Sequence, residues 1–81
     1  MTNKEKYMEA FVKALELTRD QVTPELAYQE IVNWDSVGHM ELVAELEEAF
    51  DIMLDVDDII DFSSYEKGRE ILKKYNVVIE E

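Results

Sequence analysis

The chain contains no cysteine among its 81 residues. A disulfide framework and a thiolate metal site are therefore excluded, and any thiol chemistry has to come from an attached group. A single histidine, His39, rules out multi-histidine metal centres. Apolar runs stop after a few residues, too short for a membrane span or the core of a signal peptide, and a cytoplasmic location is the expectation. The most telling scarcity is of positive charge. Residues 20–66 contain no Lys or Arg but fourteen acidic residues, and all eight basic residues lie in the flanking segments. The net charge of −12 repels nucleic acid and anionic membrane surfaces and favours capture of basic partners. Against these absences stands a hydrophobic content of 47% with 10% aromatics, enough for a modest core in one small domain spanning residues 1–81.

Helical periodicity accounts for that apolar content. Tyr7, Met8, Phe11, Val12 and Leu15 recur at spacings of three and four, which predicts a first helix from about Asn3 to Leu17. Thr2 with Glu5 three residues later reads as its capping box. A long connection over 18–35 holds the only proline. Thr23-Pro24 suggests a short helical turn through about Gln29, with Leu26, Tyr28, Ile31 and Val32 pinning the loop to the core.

A second helix is expected from Asp35-Ser36 to about Phe50, with Leu42, Val43, Leu46, Ala49 and Phe50 on its apolar side. Glu41, Glu45 and Glu48 stack on another side, flanked by Glu47 and Asp51. Like charges at this spacing repel, so a helix kept free of internal cations points to a docking partner. A short third helix is expected around Val56–Asp61, with Met53, Leu54, Val56, Ile59 and Ile60 making apolar contacts. Ser63 and Glu66 read as a capping box for a fourth helix to about Tyr75, with Tyr65, Ile71, Leu72 and Tyr75 inward. The predicted fold is all-α: a small four-helix bundle of three longer helices and one short one.

Ser36 falls at the start of the acidic second helix. Backbone N–H groups and the helix dipole favour an anion there, so its hydroxyl is placed to carry a phosphodiester. From Trp34 to about Tyr75 the order of features resembles the acyl carrier protein family. Asp35-Ser36-Val37 stands where that family has Asp-Ser-Leu, and Glu41-Leu42-Val43 and Leu46-Glu47-Glu48-Ala49-Phe50-Asp51 are similar to its second helix.

The resemblance implies that a phosphopantetheinyl transferase, using coenzyme A and Mg²⁺, attaches 4′-phosphopantetheine to Ser36, with Asp35 as the neighbouring recognition residue. It implies a non-catalytic, monomeric carrier of acyl thioesters for fatty-acid or related biosynthesis. Such a carrier can fold its acyl chain into the helical interior, and it serves acyl-loading, synthase and acyltransferase enzymes through their basic patches. The implied docking surface is Val37, Met40, Glu41, Ala44, Glu45, Glu47 and Glu48. This chain departs from the family pattern in Asn33-Trp34 before the Asp, in Asp55 where a proline often follows the second helix, and in Gly38-His39. These features are similar to free-standing carriers of aminoacyl, peptidyl, polyketide or surface-polysaccharide systems.

Three other readings compete. Ser36 and His39 lie one helical turn apart, but the chain has no nucleophile-elbow pattern and little room for an oxyanion hole. His39 shares a side with Val43, Leu46 and Phe50, which suits a satisfied, partly buried imidazole. Asp55, Asp57, Asp61 and Glu66 match positions of an EF-hand loop, yet Ile59 and Ile60 stand where a ligand and the turn glycine belong. What survives of the metal reading is weak divalent binding at Asp57 and Asp58. An unmodified acidic interaction module is the remaining alternative, against which the presence of Ser36 argues.

Overall fold

A computed structural model describes residues 2–30 and 32–79. Four helices follow one another: α1 (Asn3–Leu15), α2 (Ser36–Phe50), α3 (Val56–Asp61) and α4 (Tyr65–Lys73), with a 3₁₀ turn at Arg19–Gln21. The architecture is the expected small all-helical bundle. α1 packs along α2, and Tyr7, Phe11 and Leu15 from α1 meet Leu42 and Leu46 from α2 and Leu72 from α4 in a fully buried core. Met8 and Val12 sit half-buried at its edge.

Local chemistry sets the boundaries. Thr2 and Glu5 form the reciprocal capping box that opens α1. The helix stops at Leu15, two residues short of the expected end, because Glu16 turns left-handed (φ 55°). Asn33 then donates its side-chain N–H to the Leu15 carbonyl at 2.8 Å, satisfying an orphan acceptor of the last turn. The short helical turn lies earlier than Thr23-Pro24: Gln21 reaches back to accept from the Thr18 backbone N–H at 2.9 Å, which closes the 3₁₀ turn at Arg19–Gln21. Thr23 instead anchors a simple turn through Leu26.

The long connection is packed, as expected. Val22 and Leu26 are buried, Tyr28 N–H donates to Ser63 O and Tyr65 N–H to Leu26 O, both at 2.9 Å. Of the other expected anchors, Val32 is 91% exposed, and Ile31 lies outside the described residues.

α4 is capped by Ser64, whose hydroxyl accepts from Lys67 N–H at 3.0 Å, one residue later than the Ser63–Glu66 box would place it. The helix ends at Lys73, and Tyr75 follows it half-buried. The segment after it packs back: Val77 and Ile79 are buried, and Asn3 donates to the Val78 carbonyl at 3.0 Å. Glu80 and Glu81 lie outside the described residues.

Both glycines permit close approach rather than a turn. A Cβ at Gly38 would overlap the Asn33 carbonyl and crowd Leu15 Cδ2, and one at Gly68 would overlap the Tyr7 hydroxyl and the Phe62 ring. Gly68 lets α4 settle where Tyr7 donates its hydroxyl to the Tyr65 carbonyl at 2.6 Å. Burial pushes that phenol well above the ordinary tyrosine range.

Candidate functional site at the start of α2

Asp35 opens α2 from an extended conformation, and its Oδ1 accepts from Gly38 N–H at 2.9 Å, while its own carbonyl accepts from His39 N–H at 2.8 Å. This is a single-residue N-cap. Ser36 is therefore the first residue of the helix, with an exposed side chain, and it stands where the leading N–H groups and the helix dipole make an anion favourable.

The next turns place the acidic face. Val37, Met40, Glu41, Ala44 and Glu48 are all exposed and follow the three- and four-residue spacing of one helical stripe. Val37 is 66% and Met40 55% exposed, unusual for apolar side chains so close together. Two members of the expected docking set have other contacts. Glu47 Oε2 accepts from Leu54 N–H at 2.9 Å and ties the α2–α3 connection down. Glu45 lines a groove of about 280 Å³ with Lys6, Glu9 and Lys13 of α1, more than two turns along α2 from Ser36.

α3 is rotated relative to expectation. Val56 and Ile60 are 70% and 73% exposed, and Met53 just before the helix is 85% exposed; only Leu54 and Ile59 face the core. The buried residue of α3 is Asp58. Its carboxylate accepts from Lys74 Nζ and from the Tyr75 hydroxyl at 2.6 Å, and Tyr75 Oη accepts from Asp55 N–H at 3.0 Å. These donors hold the Asp58 carboxyl below its ordinary range. A divalent ion at Asp57 and Asp58 would have to displace Lys74 and Tyr75, and the helix over residues 56–61 replaces the loop an EF-hand requires. Among the described residues no three acidic or histidine side chains converge on a metal position.

Beside Ser36 an apolar cleft of about 310 Å³ opens between α2 and α3, with Met40 and Ile60 on its rim and His39, Ile59 and Phe62 along its wall. His39 is half-buried, as expected of a satisfied imidazole. Its Nδ1 accepts from Trp34 Nε1–H at 3.0 Å. With Nδ1 bare, the ring proton sits on Nε2, which donates to the Ile59 carbonyl at 2.8 Å. Both ring nitrogens are thus consumed in structure, which removes the base that a Ser36–His39 hydrolase needs. No sequence signal announced this bridge, because its acceptor is a backbone carbonyl twenty residues away.

The fold and this helix start define a small carrier-type bundle with one exposed serine at a dipole-favoured anion position. Comparison with known proteins gives the class a family. Residues 8–67 match the phosphopantetheine attachment site family. The chain is 31% identical over 77 residues to the acyl carrier protein of Syntrophus aciditrophicus (strain SB), covering 95% of this chain and 96% of the relative. It is 28% identical over 71 residues to the acyl carrier protein of Chlorobium phaeobacteroides (strain DSM 266 / SMG 266 / 2430), covering 88% and 91%. This chain belongs to the acyl carrier protein family, whose prosthetic group is covalently attached 4′-phosphopantetheine. The start of α2 suits that group: an exposed hydroxyl, a helix terminus for the phosphodiester and an apolar cleft alongside.

Proposed function

We propose that Ser36 is the attachment point, that a phosphopantetheinyl transferase modifies it with coenzyme A as donor, and that the chain carries acyl groups for fatty-acid or a related biosynthesis in the cytoplasm. The observation that carries this reading is the position of Ser36 as the exposed first residue of α2 behind an Asp35 cap. When bound, the prosthetic group supplies a terminal thiol on a long tether, which holds acyl cargo as a thioester. The chain's own residues do the rest. Asp35 fixes the first turn so that the Ser36 hydroxyl is presented outward, and the N–H groups of that turn favour the phosphodiester. Val37, Met40, Glu41, Ala44 and Glu48 offer an apolar and acidic stripe to enzymes with basic patches. Glu45 and Glu47 contribute charge at its edges. No helix among the described residues is long and apolar enough to cross a membrane.

The test is intact-protein mass after incubation with coenzyme A, Mg²⁺ and a phosphopantetheinyl transferase of broad specificity. The expected result is a gain of one phosphopantetheine that Ser36→Ala abolishes while the circular-dichroism spectrum stays native. An unmodified, folded wild type, or a variant that still gains the mass, overturns the assignment.

A further inference from the structure

The cleft beside Ser36 ends against a wall rather than leading into the bundle. His39, one turn along α2, spans the seam between α2 and α3 through its bonds to Trp34 Nε1–H and the Ile59 carbonyl. Its ring lies nearly parallel to the indole (22°, centroids 6.2 Å apart) and meets the edges of Tyr28 at 5.3 Å and Phe62 at 5.7 Å. Behind it Trp34 is fully buried. Phe11 packs edge-on to the indole at 5.3 Å, and Phe62 contacts it from another side at 6.2 Å. Aromatic rings therefore fill the path from the cleft towards α1.

An apolar chain tethered near this cleft is driven out of water, and it enters an interior only if the walls part. Parting them here means breaking both bonds of His39, leaving a buried indole N–H and a carbonyl unsatisfied, and displacing a tryptophan from a packed core. Resting on the reading of Ser36 as the attachment point, we infer that Trp34 and His39 bar acyl cargo from the helical interior of this carrier. Groups of a few carbons fit against His39 and Phe62 in the cleft, and the remainder of a longer chain stays in solvent.

The experiment loads the apo protein through the transferase with acetyl-, butyryl-, octanoyl- and myristoyl-coenzyme A and confirms each mass. It then measures the melting midpoint and the rate of thioester cleavage by hydroxylamine. A chain enclosed by the bundle would slow cleavage roughly fourfold for every methylene buried, which amounts to more than about a hundredfold between butyryl and octanoyl. The expected result is that butyryl, octanoyl and myristoyl forms melt together and are cleaved at the same rate. In His39→Ala, the octanoyl form should melt above the butyryl form and resist hydroxylamine. In His39→Gln, whose amide can accept from the indole and donate to the Ile59 carbonyl, the flat response should return.

Protection that grows with chain length in the wild type overturns the inference whether or not His39→Ala folds, and a flat response in folded His39→Ala overturns the role of His39. Failure of any loading overturns the Ser36 reading instead, so the two failures are distinguishable by mass alone.

Discussion

Asp58 and Tyr75 share a 2.6 Å hydrogen bond in which a phenol just past α4 donates to a buried carboxylate on α3. Lys74 donates to the other oxygen of the same carboxylate. This latch adds to the Ile59 contacts in holding the shortest helix, whose apolar residues Val56 and Ile60 face outward, against the bundle.

The latch makes stability depend on pH with a definite sign. Donors from Lys74 and Tyr75 lower the Asp58 carboxyl below its ordinary value, so its contribution is present above that value and is lost as pH falls through the lowered one. The same bonds raise Lys74 and Tyr75, so their contribution is present below their ordinary values and is lost as pH rises through the raised ones. Melting curves between pH 7 and strong acid (on the order of pH 2–3) should fall more steeply for the wild type than for Asp58→Asn. Parallel curves would show that the latch is not the titrating element.

Asp35→Ala should cost about 1 kcal/mol through loss of the N-cap, a drop of roughly 4–8 °C in melting midpoint for a domain this small. Asp35→Ser restores a capping oxygen and should recover most of it. Comparing transferase kcat/KM for the two separates capping from recognition: a Ser variant that is stable but poorly loaded marks Asp35 as a residue the transferase reads.

Gly68→Ala should destabilise the bundle by about 1–3 kcal/mol in urea, because the new methyl collides with Tyr7 and Phe62. Helix propensity alone predicts the opposite, a gain of about 1 kcal/mol. The sign of the change therefore decides between packing and propensity.

Glu41→Lys combined with Glu48→Lys should leave stability within about 0.5 kcal/mol, since both side chains are exposed. Loading by the transferase should slow about tenfold at low salt and lose most of its salt dependence. Unchanged rates at low ionic strength would remove the acidic stripe from the docking surface.

Leu46→Ala empties a fully buried position and should cost about 2–5 kcal/mol by urea denaturation. A smaller loss would mean that the α1–α2 interface closes around the gap.

Much of the fold was legible because short-range rules governed it. Thr2 with Glu5, Asp35 before an apolar run, and the three-and-four spacing of Tyr7, Phe11 and Leu15 each carry their own signal, and each element stands where they put it. The 3₁₀ turn carries a signal of its own that the proline-centred reading passes over. Thr18 with Gln21 is itself a Thr-x-x-Gln box, but Pro24 was the stronger cue. The orientation of α3 was not legible. Val56, Ile59 and Ile60 at helical spacing read as an inward stripe, and only Lys74 and Tyr75, sixteen and seventeen residues away, explain why Asp58 turns inward instead. The position of Ser36 was readable from its neighbours, whereas the Trp34–His39–Ile59 bridge depended on a backbone carbonyl that no side-chain pattern encodes.

The two glycines serve helix contacts, so the sharp reversals of the backbone fall to other residues. Glu16 (φ 55°), Asp51 (φ 53°), Gln29 (φ 66°) and Asn76 (φ 65°) all adopt the left-handed conformation. For a residue with a Cβ this costs on the order of 1 kcal/mol, least for Asn and Asp. The molecule thus holds thermal headroom in its turns: glycine at Glu16 or Gln29 would relax the backbone without touching the buried core. A hardier version of this protein is accordingly within reach of one or two changes at sites where its chemistry does not reside.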